Sequence, residues 1–181
     1  MAETSCYRIE LAAREHLAAL PEIEVRASER FPVEDMATEM RSHGLPLSFF
    51  ENAQEAGRLW TAVWERKDLP VGFAVASMVD GAPHLFEMDV LAEHGRKGLG
   101  ARLVLVVAEW ARAAGFRSLT LTTFRHLPWN APFYARLGFE ALEAFQCGPE
   151  LARALHEEAE RGLDPSKRIA MRWRLDVGAP A

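Results

Sequence analysis

The order of elements along this sequence predicts an α/β fold: a mixed, mostly antiparallel central sheet of about seven strands, flanked by helices, with one parallel βαβ crossover. Three observations carry that expectation. Two hairpin signals follow each other between residues 59 and 91, an amphipathic helical pattern runs over residues 97–114, and strand-like apolar runs stand on both sides of that helix.

Residues 7–12 read as the first strand, and residues 14–29 as a helix with Leu17, Leu20, Ile23 and Ala27 on one side, closed before Pro32. A loop containing Gly44 and Pro46 leads to a second helix over residues 47–56, stopped by Gly57. The period then becomes that of strands. Residues 59–64 and 71–79 are joined by the polar turn Glu65-Arg66-Lys67-Asp68, and Asp80-Gly81 turns the chain into a third strand over 84–91. These three strands are expected to be antiparallel neighbours.

The helix over 97–114 has Leu99, Leu103, Val106 or Val107, and Trp110 on one face, with Gly115 at its end. Residues 119–123 form the next strand, and the order strand, helix, strand makes it parallel to the strand before the helix. A short helix over 132–137 follows Asn130. Residues 150–161 form an acidic helix whose Glu157, Glu158 and Glu160 read as solvated. In the last strand Ile169, Met171, Trp173 and Leu175 alternate with Arg172 and Arg174, giving one buried face and leaving pairing with a second copy, as a homodimer, open. No repeat or low-complexity linker intervenes, so residues 1–181 are expected to be a single domain.

Composition narrows the partners. The chain is 49% hydrophobic and 26% charged, as a packed soluble protein is, and its net charge of -5 without a Lys or Arg stripe argues against nucleic acid or an anionic membrane. Cys6 and Cys147 have neither disulfide-framework nor zinc spacing, and the six histidines show no ligand spacing, so no metal is expected. The start, Met-Ala-Glu-Thr-Ser, lacks the basic and apolar regions of a secretory leader, and the cytoplasm is the expected compartment.

The segment Glu93-His94-Gly95-Arg96-Lys97-Gly98-Leu99-Gly100-Ala101 joins a strand to the start of the long helix. Glycines allow close backbone approach to a ligand, and the first amides of a helix lack internal partners and face outward with the positive end of the dipole. With Arg96 and Lys97 this makes an anion cradle suited to a diphosphate. A plain strand-to-helix turn with solvated cations is the competing reading. A dinucleotide loop wants a third glycine where Leu103 stands, and a triphosphate loop wants Gly-Lys followed by Ser or Thr, which is absent.

Glu87-Met88-Asp89-Val90, the loop from Gly95 to Ala101, and Asn130-Ala131-Pro132-Phe133-Tyr134-Ala135-Arg136-Leu137-Gly138-Phe139 together resemble the acetyl-coenzyme A motifs of the GCN5-related N-acetyltransferase (GNAT) superfamily. The resemblance spans about 50 residues and implies an acyltransferase of that fold, placing the parallel crossover at its cofactor site. Acetyl-coenzyme A would be the co-substrate and a small-molecule or peptide amine the acceptor. Met88, Asp89 and Val90 would offer backbone groups to the pantetheine arm, while Arg96, Lys97, Gly98, Leu99, Gly100 and Ala101 would wrap the diphosphate. Asn130, Phe133 and Tyr134 would border the far side of the cofactor. Gly95 stands where the family usually has Gln or Arg, and Leu127 where it commonly has Asn seven positions before the tyrosine.

The chemistry needs a base and an acid. An alkyl amine of pKa about 10.4 is neutral in roughly 1 molecule in 2500 at pH 7, a cost of about 4.6 kcal/mol before it can attack. Strand alternation puts Leu85, Glu87 and Asp89 on one face and Phe86, Met88 and Val90 on the other. Glu87, in a strand where the family often carries its base, is the candidate; a solvated strand face is the alternative. Tyr134 matches the family's acid position and could protonate the leaving thiolate, against a purely packing role beside Phe133 and Phe139. An acyl-coenzyme A binding regulatory module without turnover, and a nicotinamide oxidoreductase, are the rival functions.

Overall fold

The computed structural model describes residues 6–175, so residues 1–5, on which the leader reading falls, lie outside the described residues. Its strands are β1 (Tyr7–Leu11), β2 (Leu59–Trp64), β3 (Leu69–Val79), β4 (Ala82–Val90), β5 (Ser118–Phe124), β6 (Phe139–Ala141) and β7 (Arg168–Arg174). Its α-helices are α1 (Leu20–Ser28), α2 (Thr38–Arg41), α3 (Leu47–Glu55), α4 (Leu99–Ala113), α5 (Ala131–Arg136) and α6 (Pro149–Glu160). The strands form a seven-stranded sheet in the order β1-β2-β3-β4-β5-β7-β6. The pairs β1/β2, β2/β3, β5/β7 and β6/β7 are antiparallel; β4 and β5, joined through α4, are parallel, as expected.

By its contacts the chain divides into two compact units, one running to Ala76 and including Glu87–Val107, the other made of Ser77–Phe86 and the residues from Ala108 on. In the first unit the expected helix over 14–29 is a 3-10 turn, Arg14–Ala19, followed by α1. Pro21 explains the break: lacking an N–H, it fits the first turn of an α-helix and cannot sit in the interior of a longer one. Leu17, Leu20, Ile23 and Ala27 are all buried, so the predicted face is right. Phe50 of α3 is fully buried and meets the ring of Phe73 edge-on at 5.2 Å. Burial of a ring of that size is worth about 2 kcal/mol. The short α2 has no counterpart in the sequence pattern.

On α4 the buried residues include Leu99, Leu103, Val104, Val107, Ala108 and Ala111, which resolves the choice between Val106 and Val107. Trp110 is half-buried, at the edge of the stripe instead of inside it. In the β3–β4 turn Asp80 and Gly81 both take positive φ, 51° and 71°, the pair a type I′ hairpin requires. Among the described residues no helix is long and apolar enough to cross a membrane.

In the second unit two expectations need correction. The last strand is not at an edge: β7 is paired with β5 on one side and β6 on the other, so both its ladders are used within the chain. The three-residue β6, too short to show a period, is what covers it. Glu158 is also not solvated. Its carboxylate accepts from Arg168 Nε and Nη2 at 2.8 and 2.9 Å and from the Thr122 hydroxyl, with the Arg168 and Glu158 side chains only 10% and 18% exposed. Glu158 is thus the acidic position of α6 that faces the strand, and Arg168 on β7 neutralises it.

Candidate functional site

Within the first unit, the end of β4 and the loop into α4 carry most of the residues singled out from the sequence. Glu87, Met88, Asp89 and Val90 are each half-buried as whole residues. The Asp89 carboxyl nevertheless sits among enough protein atoms that loss of water, reinforced by the negative charges of Glu87 and Glu24, pushes it well above the usual carboxylate range; Arg30 opposes this. Glu24, on α1, is also raised by burial, although its Oε2 accepts the Leu45 amide at 2.7 Å. Read from the sequence, Asp89 mattered for its main chain. Its side chain is the perturbed one.

A sheet irregularity shapes this end of β4. Ala62 faces Gly72 while Val63 faces Pro70, so Val71 is the extra residue of a bulge, and its carbonyl accepts the Leu91 amide at 2.9 Å. A Cβ on Gly72 would lie 2.6 Å from the Asp89 carbonyl oxygen and 3.2 Å from Val90 Cα, both backbone atoms that cannot turn aside. Gly72→Ala is therefore expected to displace Asp89 and Val90 and to cost about 1–3 kcal/mol, as overpacking does. Urea unfolding checks the stability, and an unchanged unfolding free energy would refute the close approach.

Beyond β4, Arg96 and Gly98 take positive φ, 57° and 76°, and swing the chain into α4. The first α4-type bond is Arg102 N–H to the Gly98 carbonyl. The amides of Gly98, Leu99, Gly100 and Ala101 therefore donate to no acceptor among the described residues. Arg96 is exposed. Lys97 is turned away from a purely solvated role: its ammonium donates to the Tyr7 hydroxyl at 3.1 Å and lies 5.5 Å from the Tyr7 ring centre.

Within the second unit, Asn130 precedes α5 but does not cap it with its side chain. Its Nδ2 donates to Thr123 Oγ1 at 2.7 Å, and its Oδ1 is buried without a hydrogen-bond partner among the described residues. Tyr134 is buried, with its ring edge-on to Phe133 at 5.0 Å and Phe139 at 5.6 Å. Leu127, seven positions before Tyr134, is buried as well. Among the described residues no group of three or more His, Cys, Asp or Glu could hold a metal ion. Glu24 and Tyr7 carried no signal in the sequence, since each lies in a segment that reads as an ordinary helix or strand.

Comparison with known proteins decides the family. The model of the acetyltransferase (GNAT) family matches residues 6–139, about three-quarters of the chain. The chain belongs to the GNAT family. Solved structures of similar fold include a GNAT-family acetyltransferase from Staphylococcus aureus Mu50, at 16% identity over 93% of this chain and 99% of that one, with a TM-score of 0.68. YncA from Salmonella typhimurium, solved with its cofactor acetyl-CoA, is 19% identical over 97% of each chain, with a TM-score of 0.67. The ribosomal-protein-S18-alanine N-acetyltransferase of Escherichia coli is 19% identical over 93% of this chain and 94% of that one, with a TM-score of 0.64. The sheet order and the parallel β4/β5 pair of this GNAT chain are thus those of the family's fold.

Proposed function

We propose that this GNAT chain is an acetyl-coenzyme A dependent N-acetyltransferase, a single domain that transfers the acetyl group directly to an amine. The observation that carries the reading is the row of four undonated amides, Gly98 to Ala101, at the start of a helix that follows β4. Bare amides at a helix start favour a diphosphate, and Arg96 beside them adds a cation. The buried, unpartnered Oδ1 of Asn130 supports the same ligand class, since it would accept a hydrogen bond from an amide of a pantetheine arm. Acetyl-coenzyme A supplies the activated acyl carbon and the thiolate leaving group.

The chain's own residues handle two protons. Glu87 and Asp89, two apart on β4, form the pair that accepts the proton lost by the attacking ammonium, and the burial that raises the Asp89 carboxyl strengthens it as a proton acceptor. Tyr134 holds a phenolic proton that it gives to the thiolate, and the chemistry calls for no metal. Met88 and Val90 contribute backbone groups, and Phe133 an apolar wall, to the pantetheine arm. The acceptor is a small-molecule or peptide amine.

A panel of diverse amines incubated with acetyl-coenzyme A, read by free thiol and by acceptor mass together, is expected to yield one acetylated amine class with stoichiometric thiol. Calorimetry that detects no heat with any acyl-coenzyme A at millimolar concentration would remove the transferase reading. Coenzyme binding without thiol release on any amine would leave a regulatory module instead.

A further inference from the structure

Glu22 and Arg26 lie one turn apart on α1, while Glu24 points half a turn away, toward Leu45. The face bearing Glu22 and Arg26 borders a cavity of about 720 Å³ that lies wholly within the first unit. Its other walls are the start of β1, the β2–β3 hairpin and the loop after β4. That volume falls in the range of about 300–1,000 Å³ typical of small-molecule sites.

The lining is unbalanced in charge. Four cations, Arg26, Arg66, Lys67 and Lys97, face two carboxylates, Glu22 and Glu93. Both carboxylates are taken by one cation: Arg26 is 2.5 Å from Glu93 and 3.9 Å from Glu22. Arg66, Lys67 and Lys97 have no carboxylate partner among the described residues. Lys67 lies over the Trp64 ring at 5.2 Å, and Lys97 over Tyr7.

The polar groups are ordered in one direction. Lys97 donates to the Tyr7 oxygen, and the Tyr7 hydroxyl can in turn donate its hydrogen to His94 Nδ1, 2.8 Å away. Burial and the charge of Lys97 hold His94 below the usual imidazole range, which favours the neutral ring, and with Nδ1 accepting from Tyr7 the ring hydrogen sits on Nε2. That donor has no acceptor among the described residues. The remaining wall is apolar and aromatic, with Ile23, Val71, Leu91 and the Trp64 ring, itself 5.2 Å from His94. The cavity is therefore rich in donors, poor in free acceptors and partly greasy.

We infer that this cavity is a second ligand site, which takes a small organic anion with a flat apolar body and a carboxylate or phosphate head. Neither substrate of the proposed reaction fills it. The coenzyme's diphosphate is accounted for by the backbone amides from Gly98 to Ala101, and an ammonium acceptor would be repelled by the excess of cations. The head would meet Arg66, Lys67 and the His94 Nε2–H, and the body would lie against Trp64 and Leu91.

Calorimetry on the full chain tests this, with and without saturating coenzyme A. Phenylpropionate and phenyl phosphate are titrated as the carboxylate and phosphate arms, and benzyl alcohol as the uncharged control. Arg66 and Lys67 lie in the exposed hairpin turn, so an Arg66→Ala, Lys67→Ala double variant should keep the fold and its coenzyme affinity. The expected result is saturable binding of one anion or both, retained with coenzyme A present and weakened about ten-fold or more in the double variant, as loss of charge-assisted contacts predicts. Four results overturn the site: no saturable heat from either anion, binding abolished by coenzyme A, equal binding to the double variant, or equal binding of benzyl alcohol.

Discussion

Asp89→Asn is expected to lower kcat/KM by about 10²- to 10⁴-fold near pH 7 while leaving acetyl-coenzyme A binding intact, the range over which general-base groups act. The base must be ionised to accept a proton, so activity rises with pH through the Asp89 titration, and burial and its two carboxylate neighbours set that limb high. Glu87→Gln removes one of those neighbouring charges. It is expected to lower the Asp89 pKa and move the acid limb of the kcat/KM profile to lower pH, with a smaller loss at the plateau than in Asp89→Asn. A Glu87→Gln variant as inactive as Asp89→Asn, with an unshifted limb, would return the base to Glu87 alone. Tyr134→Phe in the same assays is expected to retain coenzyme binding and lose thiol release. If none of the three substitutions alters turnover, the proton roles are wrong although the family is not.

Much of this architecture follows from local pattern, and the exceptions have physical reasons. Asp80-Gly81 announces its hairpin because two consecutive positive φ values are tolerable to few residue pairs. The α4 stripe is legible because a helix that packs on a sheet repeats its apolar side every three or four residues. Three-residue β6 carries no period at all; it exists because β7 offers it a ladder, which is tertiary information. The inward turn of Glu158 likewise depends on Arg168 and Thr122, ten and 36 positions away along the chain. At the site, Gly98, Leu99, Gly100 and Ala101 could be picked out by composition because bare amides need only a loop and a helix start. The state of Asp89 could not. Its burial is produced by α1, whose Glu24 lies 65 positions earlier, and by the approach of β3 at Gly72. Strand alternation groups Glu87 with Asp89 but carries nothing about which of them loses its water.

His84 makes the folded state sensitive to mild acid. It is 4% exposed, its Nδ1 is 2.9 Å from Thr120 Oγ1, and burial holds its pKa down at about 4, with the Glu158 charge only partly opposing. In the unfolded chain a histidine titrates near pH 6.5. Between those two values the unfolded state binds a proton that the folded state does not, so stability falls as pH drops. From pH 7 to pH 5 the expected loss from this residue is about 2 kcal/mol, and it approaches about 3 kcal/mol near pH 4. Asp89 and Glu24 act with the opposite sign: their folded pKa values are raised, so the folded state takes up protons first and acidification favours it through those groups. The net pH dependence of the wild type therefore understates the histidine. Comparison with His84→Gln, which can still hydrogen-bond but cannot titrate, isolates it. Urea unfolding at pH 7 and pH 5 should show the wild type losing about 2 kcal/mol more than the variant over that interval. Equal losses would mean that His84 reaches water, or a protonating partner, in the folded state.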